Sequence, residues 1–476
     1  MPGSPLPNIV AIDLGAESCR VSLLQWEGEE PRIELIHRFS NAPVTSGESL
    51  CWDFDRILAE TEKGLLRCAR AATTPIASIG VDGWAVDYVR VNKEGLPLRP
   101  PFCYRDPRTE ATMREMESRC SQAELYALSG AQPLRINTIY QLMADARAGV
   151  SASTPWINLP EYLLTRLGGR AVAEYTNATH TGLVDIHSRS WSREVFRRCG
   201  LDVEAAPELV ATGTDVGQLR RLIGADGVFQ DTRLIAAACH DTASAVAAIP
   251  IDSDDWAYIS SGTWSLVGTL LHAPVTTPEA CAAGFTNQGA AGNRICFHKN
   301  VNGMWLLKQA MEQLCPGDAQ WPMAEIVAAA EALPSPDALL DVDQPDLLLP
   351  GSMASRINAQ RISRGLAPLP ENVAAIPQFA SLIFHSLAAR YAEVLRNVER
   401  LTGKTIRRVA IVGGGSLNHF LNRLTERATG LEVFCGVAES STIGNFAIQL
   451  ATLEGQPNAP KRIAHWAHIL TALRQC

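Results

Sequence analysis

The sequence lacks the features that mark several classes of protein. No two of its twelve cysteines form a CxxC pair, which argues against a zinc ribbon and a thioredoxin-type redox site. It has no run of about eighteen apolar residues, so we expect no membrane span. Its opening residues, MPGSPLPNIVAIDLG, show neither the basic nor the apolar segment of a signal peptide. We therefore expect a reduced, cytoplasmic protein whose cysteines fill its core.

A basic surface and the common nucleotide-binding motifs are also missing. The chain has 42 Lys and Arg against 50 Asp and Glu, a net charge of −8, so we expect no nucleic-acid partner. Neither a Walker GxxxxGK[ST] motif nor a Rossmann GxGxxG motif occurs. The hydrophobic fraction of 46% is ordinary for a globular protein, and 476 residues exceed what one hydrophobic core supports. Two or three domains are therefore expected.

The apolar patterns predict α/β domains with a central sheet. In the first half, strands over 8–14 and 20–26 flank a turn at Gly15, and helix 54–71 precedes a third strand over 76–84. In the second half, strands over 256–260 and 264–271 flank a turn at Gly262, and long helices follow. Each half thus opens with a hairpin of similar plan. We predict two domains, 1–247 and 248–476.

The first candidate site is IDLGAESCR, residues 12–20. A carboxylate at a strand end, here Asp13, can hold a hydrated magnesium ion beside a phosphate. Backbone amides of the glycine turn that follows can approach phosphate oxygens. An ordinary hairpin turn with a solvated Asp13 explains the same residues equally well.

The second candidate is His240-Asp241-Thr242, between a predicted strand over 234–238 and a helix of small residues. Asp241 at such a junction favours helix capping on the local pattern alone. If Thr242 capped the helix instead, Asp241 would be able to face a substrate and act as a base.

Two further glycine turns lie in the second half. The segment ISSGTWSLVG places hydroxyl residues at a tight turn, where they either bind phosphate or form a plain β-turn. The segment VAIVGGGSLN ends a strand in three glycines before a helix. Such a bare backbone at a helix N-terminus suits a close approach by a nucleotide, although a simple loop is the alternative.

Taken in order, these segments resemble the FGGY carbohydrate kinases, and within that family the group of rhamnulokinases. The likeness covers nearly the whole chain and includes the blocks AIDLGAESCRV, SIGVDGWAVDY, YRDPRT, EYTNATHTGLVDI, HDTASAV, YISSGTWSL, KNVNGMWLL, IVGGGSLN and STIGNFAIQL. The resemblance implies an α/β fold of two actin-like (ribonuclease H-like) domains flanking a deep nucleotide and sugar cleft. It also implies ATP-dependent phosphorylation of the C1 hydroxyl of a ketose, L-rhamnulose.

The resemblance also implies roles for individual residues. Asp241 matches the catalytic base, and Asp13 matches the acidic residue near Mg²⁺. The positions that match sugar contacts are Ala85, His240, Asp241, Thr242 and Asn300. The positions that match ATP contacts are Ala16, Glu17, Ser18, Cys19, Arg20, Thr263, Lys308 and Gly414.

Four positions depart from the family pattern. Ala85 replaces a glycine that contacts sugar, and Gly83 replaces a threonine beside it. Cys19 replaces a glycine of the first phosphate loop, and Lys308 replaces a glutamine that contacts ATP. Because Gly83 and Ala85 depart from the family pattern near the sugar, other ketoses are alternative substrates, namely L-fuculose, L-ribulose and L-xylulose. A sugar sensor without catalysis is the alternative of another class, and the sequence leaves monomer and homodimer open.

Overall fold

The computed structural model describes residues 6–220, 227–251, 253–315 and 321–472. The strands in chain order are β1 (Asn8–Leu14), β2 (Ser18–Glu27), β3 (Glu30–Ser40), β4 (Val44–Ser46), β5 (Ser49–Cys51), β6 (Ile76–Gly83), β7 (Tyr88–Arg90), β8 (Trp156–Asn158), β9 (Val172–Glu174), β10 (Val184–Asp185), β11 (Ser190–Trp191), β12 (Glu208–Val210), β13 (Thr214–Gln218), β14 (Arg233–Ala236), β15 (Trp256–Ser261), β16 (Trp264–Leu271), β17 (Phe285–Ala290), β18 (Arg294–Asn302), β19 (Arg408–Val412) and β20 (Glu432–Cys435).

The α-helices, again in chain order, are α1 (Phe54–Ala71), α2 (Glu110–Arg119), α3 (Gln122–Ser129), α4 (Thr138–Arg147), α5 (Leu159–Leu167), α6 (Tyr175–Ala178), α7 (Arg193–Cys199), α8 (Asp241–Ala247), α9 (Pro278–Ala282), α10 (Trp305–Leu314), α11 (Met323–Glu331), α12 (Met353–Ser363), α13 (Ile376–Thr402), α14 (His419–Thr429), α15 (Ser440–Leu453) and α16 (Pro460–Ala472). No helix within the described ranges combines the length and the apolar character that crossing a membrane requires.

The chain divides into two compact units, and neither is continuous in sequence. Unit 1 comprises Met1–Asp252, Leu270–Phe297 and Ser440–Cys476. Unit 2 comprises Ser253–Thr269 and His298–Glu439. The predicted division of the chain at residue 247 stays a prediction.

Unit 1 is built on a six-stranded sheet in the order β13-β14-β6-β1-β2-β3. Strands β1, β6 and β14 are parallel, whereas β2 is antiparallel to β1, and β3 is antiparallel to β2. Strand β1 reads NIVAIDL and is buried at every residue, as expected for a strand covered on both faces. Helix α15 packs against β1 and β6, and helix α1 packs against β2 and β3. Parallel central strands therefore end together at one edge of the sheet.

Unit 2 repeats the start of this plan. Its first two strands, β15 and β16, form an antiparallel hairpin, and β19 and β20 extend the sheet parallel to β15. The long helix α13 packs against α10, α11 and α14, and its buried face is lined by aromatic and aliphatic side chains such as Phe379, Ile383 and Leu387. The prediction of two α/β halves that each begin with a hairpin is confirmed.

Candidate active site

Three carboxylates stand at the ends of adjacent parallel strands in unit 1. Asp13 lies near the end of β1, and Asp82, near the end of β6, is its register partner. Asp241 follows β14, whose neighbour in the sheet is β6. Since ligands of open α/β sheets bind beyond the carboxyl ends of the strands, this edge is the candidate active site.

Asp13 is buried and bonded on both sides. Its Oδ2 atom accepts a hydrogen bond from the Ser441 hydroxyl at 3.0 Å, and Arg20 Nη1 lies 3.3 Å from the same oxygen. The side chain of Asp13 is only 7% exposed, so the alternative of a solvated turn residue is wrong. The carboxylate is instead held in one orientation by α15 and β2.

Asp82 is fully buried, and Asn445 Nδ2 donates to its Oδ2 atom at 2.6 Å. Its other oxygen, Oδ1, is buried and has no hydrogen-bond partner among the described residues. Burial, and after it the negative charge of Asp13, raise the pKa of Asp82 well above its usual range. The charge of Asp241 acts in the same direction. The charges of both neighbours therefore favour the protonated form of Asp82.

Asp241 is the accessible member of the three, with 37% of its side chain exposed. It is the first residue of α8, and the residue before it, His240, occupies the N-cap without a side-chain capping bond. The expectation that Asp241 caps the helix is wrong, and so is the alternative that Thr242 does. The Thr242 hydroxyl instead donates to Asp241 Oδ1 at 3.2 Å. Burial raises the pKa of Asp241 to about 6, against the lowering effect of the hydrogen bonds from Thr242.

The segment that carries Asp241 is anchored by Glu174, from the block EYTNAT. Glu174 Oε2 accepts hydrogen bonds from the backbone N–H of Cys239 at 2.9 Å and from the Thr176 hydroxyl at 2.5 Å. The backbone N–H of His240 in turn donates to Thr176 Oγ1 at 3.3 Å. Gly83 N donates to Cys239 O at 3.1 Å, which ties this segment to the end of β6. The backbone that leads into Asp241 is thus held by unit 1 itself.

The glycine turn between β1 and β2 is closed by Asn41. Its side-chain amide donates to Gly15 O at 3.0 Å, and its backbone N–H donates to Glu17 O at 2.9 Å. A Cβ atom at Gly15 would lie 2.4 Å from Ser18 O, so the turn requires glycine there. Ala16 to Arg20 follow directly. The Cys19 side chain belongs to the core, and burial raises the pKa of its thiol to about 12, so it is a neutral core residue.

The corresponding turn of unit 2 contains Gly262 and Thr263. Their carbonyl oxygens accept from the backbone N–H groups of Met304 and Trp305 at 3.0 and 3.2 Å. A Cβ atom at Gly303 would lie 2.8 Å from both carbonyl oxygens, so glycine permits this close packing. The turn is therefore braced by the start of α10, the helix on whose exposed side Lys308 lies.

The three glycines after β19 differ in what surrounds them. Gly413 has a φ of 82°, which favours glycine, and a Cβ atom at Gly415 would lie 2.0 Å from Ser261 Oγ. A Cβ atom at Gly414 would meet nothing within 4 Å. The fold of unit 2 thus explains Gly413 and Gly415, whereas Gly414 borders open space. Asn300, in β18 of the same unit, is also exposed.

The segment from Asp82 to Asp87 is held by its last residue. Asp87 is fully buried and accepts hydrogen bonds from Trp52 Nε1 at 2.6 Å and Trp84 Nε1 at 3.0 Å. Ala85 is buried beside them, and Val86 has a positive φ of 72°, a strained value for a β-branched residue. Asp82 and Asp87 are therefore both buried carboxylates that accept hydrogen bonds from other side chains.

Comparison with known proteins identifies the family. Residues 8–248 match the model of the N-terminal domain of the FGGY family of carbohydrate kinases, and residues 257–453 match that of its C-terminal domain. The chain belongs to the FGGY family of carbohydrate kinases. It is therefore a phosphotransferase of the carbohydrate kinase class, and its two-domain fold is the actin-like fold of this family.

Similar FGGY kinases include a rhamnulokinase of Klebsiella pneumoniae (strain 342), 38% identical over 458 residues, which span 95% of this chain and 91% of the relative. A rhamnulokinase of Oceanobacillus iheyensis is 33% identical over 451 residues, or 94% and 93% of the two chains. Among solved structures, a xylulose kinase from Lactobacillus acidophilus superposes with a TM-score of 0.76 at 16% identity, covering 98% of this chain and 96% of that one. This likeness shows the shared fold.

Helix α15 carries site residues that the sequence reasoning missed. Ser441 bonds to Asp13 and Asn445 bonds to Asp82, while Gln449 Nε2 donates to Val10 O at 3.0 Å. These polar residues recur every four positions on an otherwise apolar helix, so they share one face. A polar stripe on a buried helix is the signal that could have located them.

Proposed function

We propose that this kinase transfers the γ-phosphoryl group of ATP to the C1 hydroxyl of a ketose, with L-rhamnulose as the preferred sugar and Asp241 as the general base. One observation carries the assignment of the base. Of the three carboxylates at the sheet edge, the side chains of Asp13 and Asp82 are buried, whereas that of Asp241 is 37% exposed. A base must reach the proton that it removes.

The electrostatics around Asp241 suit this task. Its pKa of about 6 leaves the carboxylate ionised at neutral pH and still basic enough to accept a proton. The Thr242 hydroxyl donates to Oδ1, so we propose that Oδ2 takes the proton of the sugar hydroxyl. The sugar oxygen then forms a bond to the γ-phosphorus as the bond from that phosphorus to the ADP oxygen breaks.

The donors at the sheet edge fit a magnesium ion bound together with ATP. Mg²⁺ prefers hard oxygen ligands, and it commonly uses one or two carboxylates and completes its shell with waters and phosphates. Asp13 and Asp82 supply such oxygens, and Asp82 Oδ1 is buried without a hydrogen-bond partner among the described residues. No group of three or more His, Cys, Asp or Glu side chains in those ranges forms an all-protein metal site. When bound, the ion would neutralise phosphate charge, and we assign Asp13 to hold it.

We assign ATP contacts to three segments: the hairpin turn of unit 1, the hairpin turn of unit 2, and the three glycines that follow β19 in unit 2. In unit 1, the turn of residues 15–18 is braced by Asn41, and Arg20 brings a positive charge beside Asp13. In unit 2, Thr263 lies in the braced turn, and Gly414 has open space where a side chain would stand. Exposed Lys308 is assigned to a phosphate because it carries positive charge at the first turns of α10.

The preference for L-rhamnulose is supported by the rhamnulokinases that share 33–38% identity with nearly the whole chain. Sugar contacts are assigned to Ala85, His240, Thr242 and Asn300. A second candidate, a kinase of another ketose, is favoured by Gly83 and Ala85. A Thr side chain at 83 would press on Leu14, so the sugar-facing segment is shaped differently from the family pattern.

We further propose that the protein works in the cytoplasm, where ATP is plentiful and thiols stay reduced. Within the described residues no disulfide joins the cysteines, and most of them are buried. That pattern is typical of thiols that serve as small core residues.

The test is an ADP-release assay with Mg-ATP and L-rhamnulose, L-fuculose, L-ribulose and L-xylulose. We expect the highest kcat/KM with L-rhamnulose. In Asp241→Asn, which keeps size and removes the base, we expect kcat to fall by about 10²- to 10⁴-fold with ATP affinity retained. Folded protein that binds ATP and sugar yet turns over none of the four would favour a sensor instead. Preference for another sugar would support the second candidate.

A further inference from the structure

A chain of side-chain contacts runs behind the proposed base, entirely within unit 1. Gln288 Nε2 lies 2.9 Å from His180 Nδ1, and His180 Nε2 lies 3.1 Å from His240 Nδ1. His240 Nε2 then lies 3.4 Å from Asp241 Oδ1. Gln288, His180 and His240 are each more than nine-tenths buried. Neither Gln288 nor His180 is among the residues that the family resemblance assigns to the site.

Hydrogen-bond chemistry gives this chain one direction. The Gln288 amide nitrogen can only donate, so His180 Nδ1 accepts and the proton of the neutral His180 ring sits on Nε2. That N–H donates to His240 Nδ1, which places the His240 proton on Nε2, facing Asp241. The reverse orientation of the Gln288 amide would turn a His240 lone pair toward the carboxylate, an unfavourable contact. The sequence Gln288→His180→His240→Asp241 is therefore the consistent arrangement.

Burial keeps the His240 ring neutral. Burial lowers the pKa of His240 to about 3, so its ring is uncharged at neutral pH. Three acidic residues are linked to the segment that carries this ring: Asp241, which it contacts, Glu174 and Asp82. Glu174 is engaged by the Cys239 N–H, and Asp82 lies next to Gly83, which bridges to His240. The ring centroids of His180 and His240 are 3.8 Å apart, so the two imidazoles also pack on each other.

We propose that His180 and Gln288 are positioning residues that hold His240 in its Nε2–H tautomer, so that its protonated nitrogen, and not a lone pair, lies beside the base. This rests on the proposed function of Asp241. The 3.4 Å separation is an electrostatic contact rather than a hydrogen bond, so the polarity of His240 Nε2 acts on the carboxylate and leaves its oxygens able to accept a proton. No proton moves along the chain: the sugar proton goes to Asp241, and His240 keeps its own.

The discriminating variants are two substitutions at position 180. In His180→Gln the side-chain amide can occupy the place of Nε2 and still donate to His240, whereas His180→Phe keeps the bulk of a ring and removes the donor. We expect His180→Gln to stay within about threefold of the wild-type kcat and His180→Phe to lose about tenfold, with the KM for ATP unchanged in both. Equal losses in the two variants would mean that the ring only packs, and would overturn the proposal.

Control substitutions at His37 and a variant at Gln288 separate the effect of the lost hydrogen-bond donor from a general loss of folded protein. His37, bonded to Glu60 and Arg67, receives the same two substitutions and should show equal kcat in both. If His180→Phe does not fold, Gln288→Met removes only the amide donor at the far end of the chain. We expect it to lower kcat by about threefold or more, because the His180 tautomer is then no longer selected. Wild-type kcat in folded Gln288→Met would overturn the proposal.

Nuclear magnetic resonance of protein labelled with ¹⁵N-histidine tests the chain without relying on turnover. Two-bond ¹H–¹⁵N spectra distinguish protonated from unprotonated ring nitrogens, and we expect protonated Nε2 on both His180 and His240. A His240 ring protonated on Nδ1 would overturn the proposal even if the enzyme is active. An inactive enzyme with the expected tautomers would instead contradict the function proposed for Asp241, so the two failures are distinguishable.

Discussion

Asp13 and Asp82 are register partners on the parallel strands β1 and β6, so their carboxyl groups lie side by side at one edge of the sheet. Two such groups repel when both are ionised, and burial adds to the cost for Asp82. Helix α15 donates one side-chain hydrogen bond to each carboxylate: Ser441 donates to Asp13, and Asn445 donates to Asp82. The pair is stable when a proton, or a bound cation, reduces its negative charge.

Asp82→Asn should therefore stabilise the free protein and impair it as an enzyme. Because the folded-state pKa of Asp82 is raised, the stability tied to its protonated form is complete below the unfolded pKa and is lost as pH rises. We expect the variant to gain on the order of 1 kcal/mol at pH near 8 and little at pH near 4, measured by thermal unfolding. Activity with Mg-ATP should fall.

The control for this prediction is Asp87→Asn. Asp87 accepts from Trp52, Trp84, Gln141 and the Tyr104 N–H, and an amide cannot accept all four bonds. We expect this variant to lose about 1–3 kcal/mol. A loss of stability in Asp82→Asn at both pH values would contradict the assigned repulsion.

The acid limb of the pH–rate profile should report Asp241. With its pKa at about 6, the base becomes protonated below that pH, so kcat/KM should fall with unit slope there. Thr242→Val removes the hydroxyl that donates to Oδ1 and stabilises the ionised form, so the limb should move to higher pH. Steady-state rates with L-rhamnulose between about pH 5 and about pH 8 measure both effects. A limb that moves to lower pH in Thr242→Val would contradict the assignment.

Gly83 is explained by close packing at the end of β6. A Cβ atom there would lie 2.7 Å from Leu14 Cβ and 2.8 Å from Leu14 O. We expect Gly83→Thr, which restores the family residue, to lose about 1–3 kcal/mol of stability in chemical unfolding. Ala85→Gly restores the neighbouring family residue without adding atoms, and should cost at most about 1 kcal/mol.

The same two variants examine sugar preference. If Ala85 contacts the sugar, Ala85→Gly should change the ratio of kcat/KM between L-rhamnulose and the other ketoses while leaving the KM for ATP unchanged. An unaltered ratio would remove Ala85 from the proposed sugar contacts. Gly83→Thr is the comparison variant, because we expect its steric clash with Leu14 to lower the stability of the fold more than it changes sugar preference.

Gly414 and Gly415 offer a contrast between ligand approach and protein packing. A Cβ atom at 415 would overlap Ser261 Oγ, whereas one at 414 would meet no protein atom within 4 Å. We expect Gly415→Ala to lose about 1–3 kcal/mol and Gly414→Ala to unfold like the wild type. If ATP approaches Gly414, its alanine variant should nonetheless raise the KM for ATP by about tenfold or more. An unchanged KM would contradict the assigned contact.

Local pattern was enough for most of the regular structure. Strands Asn8–Leu14 and Trp264–Leu271 and helix Phe54–Ala71 are found as predicted, because long runs of period-two or period-3.6 apolarity leave few alternatives. The start of α8 was not predictable in this way. Asp, Thr and His at a strand-to-helix junction are each compatible with several local bonds, and the tertiary anchor at Glu174 decides between them.

From the sequence alone came the α/β class, the two hairpins with their glycine turns, the family and the choice of Asp13 and Asp241 as candidate site residues. Only the tertiary structure decided which polar groups meet: that Asp82 joins Asp13, that α15, some 360 to 430 residues away along the chain, supplies their donors, and that His180 and Gln288 stand behind His240. The physical reason is that periodicity and turn chemistry act between near neighbours. Pairing of buried polar groups depends instead on strand register and helix packing, which bring distant segments together.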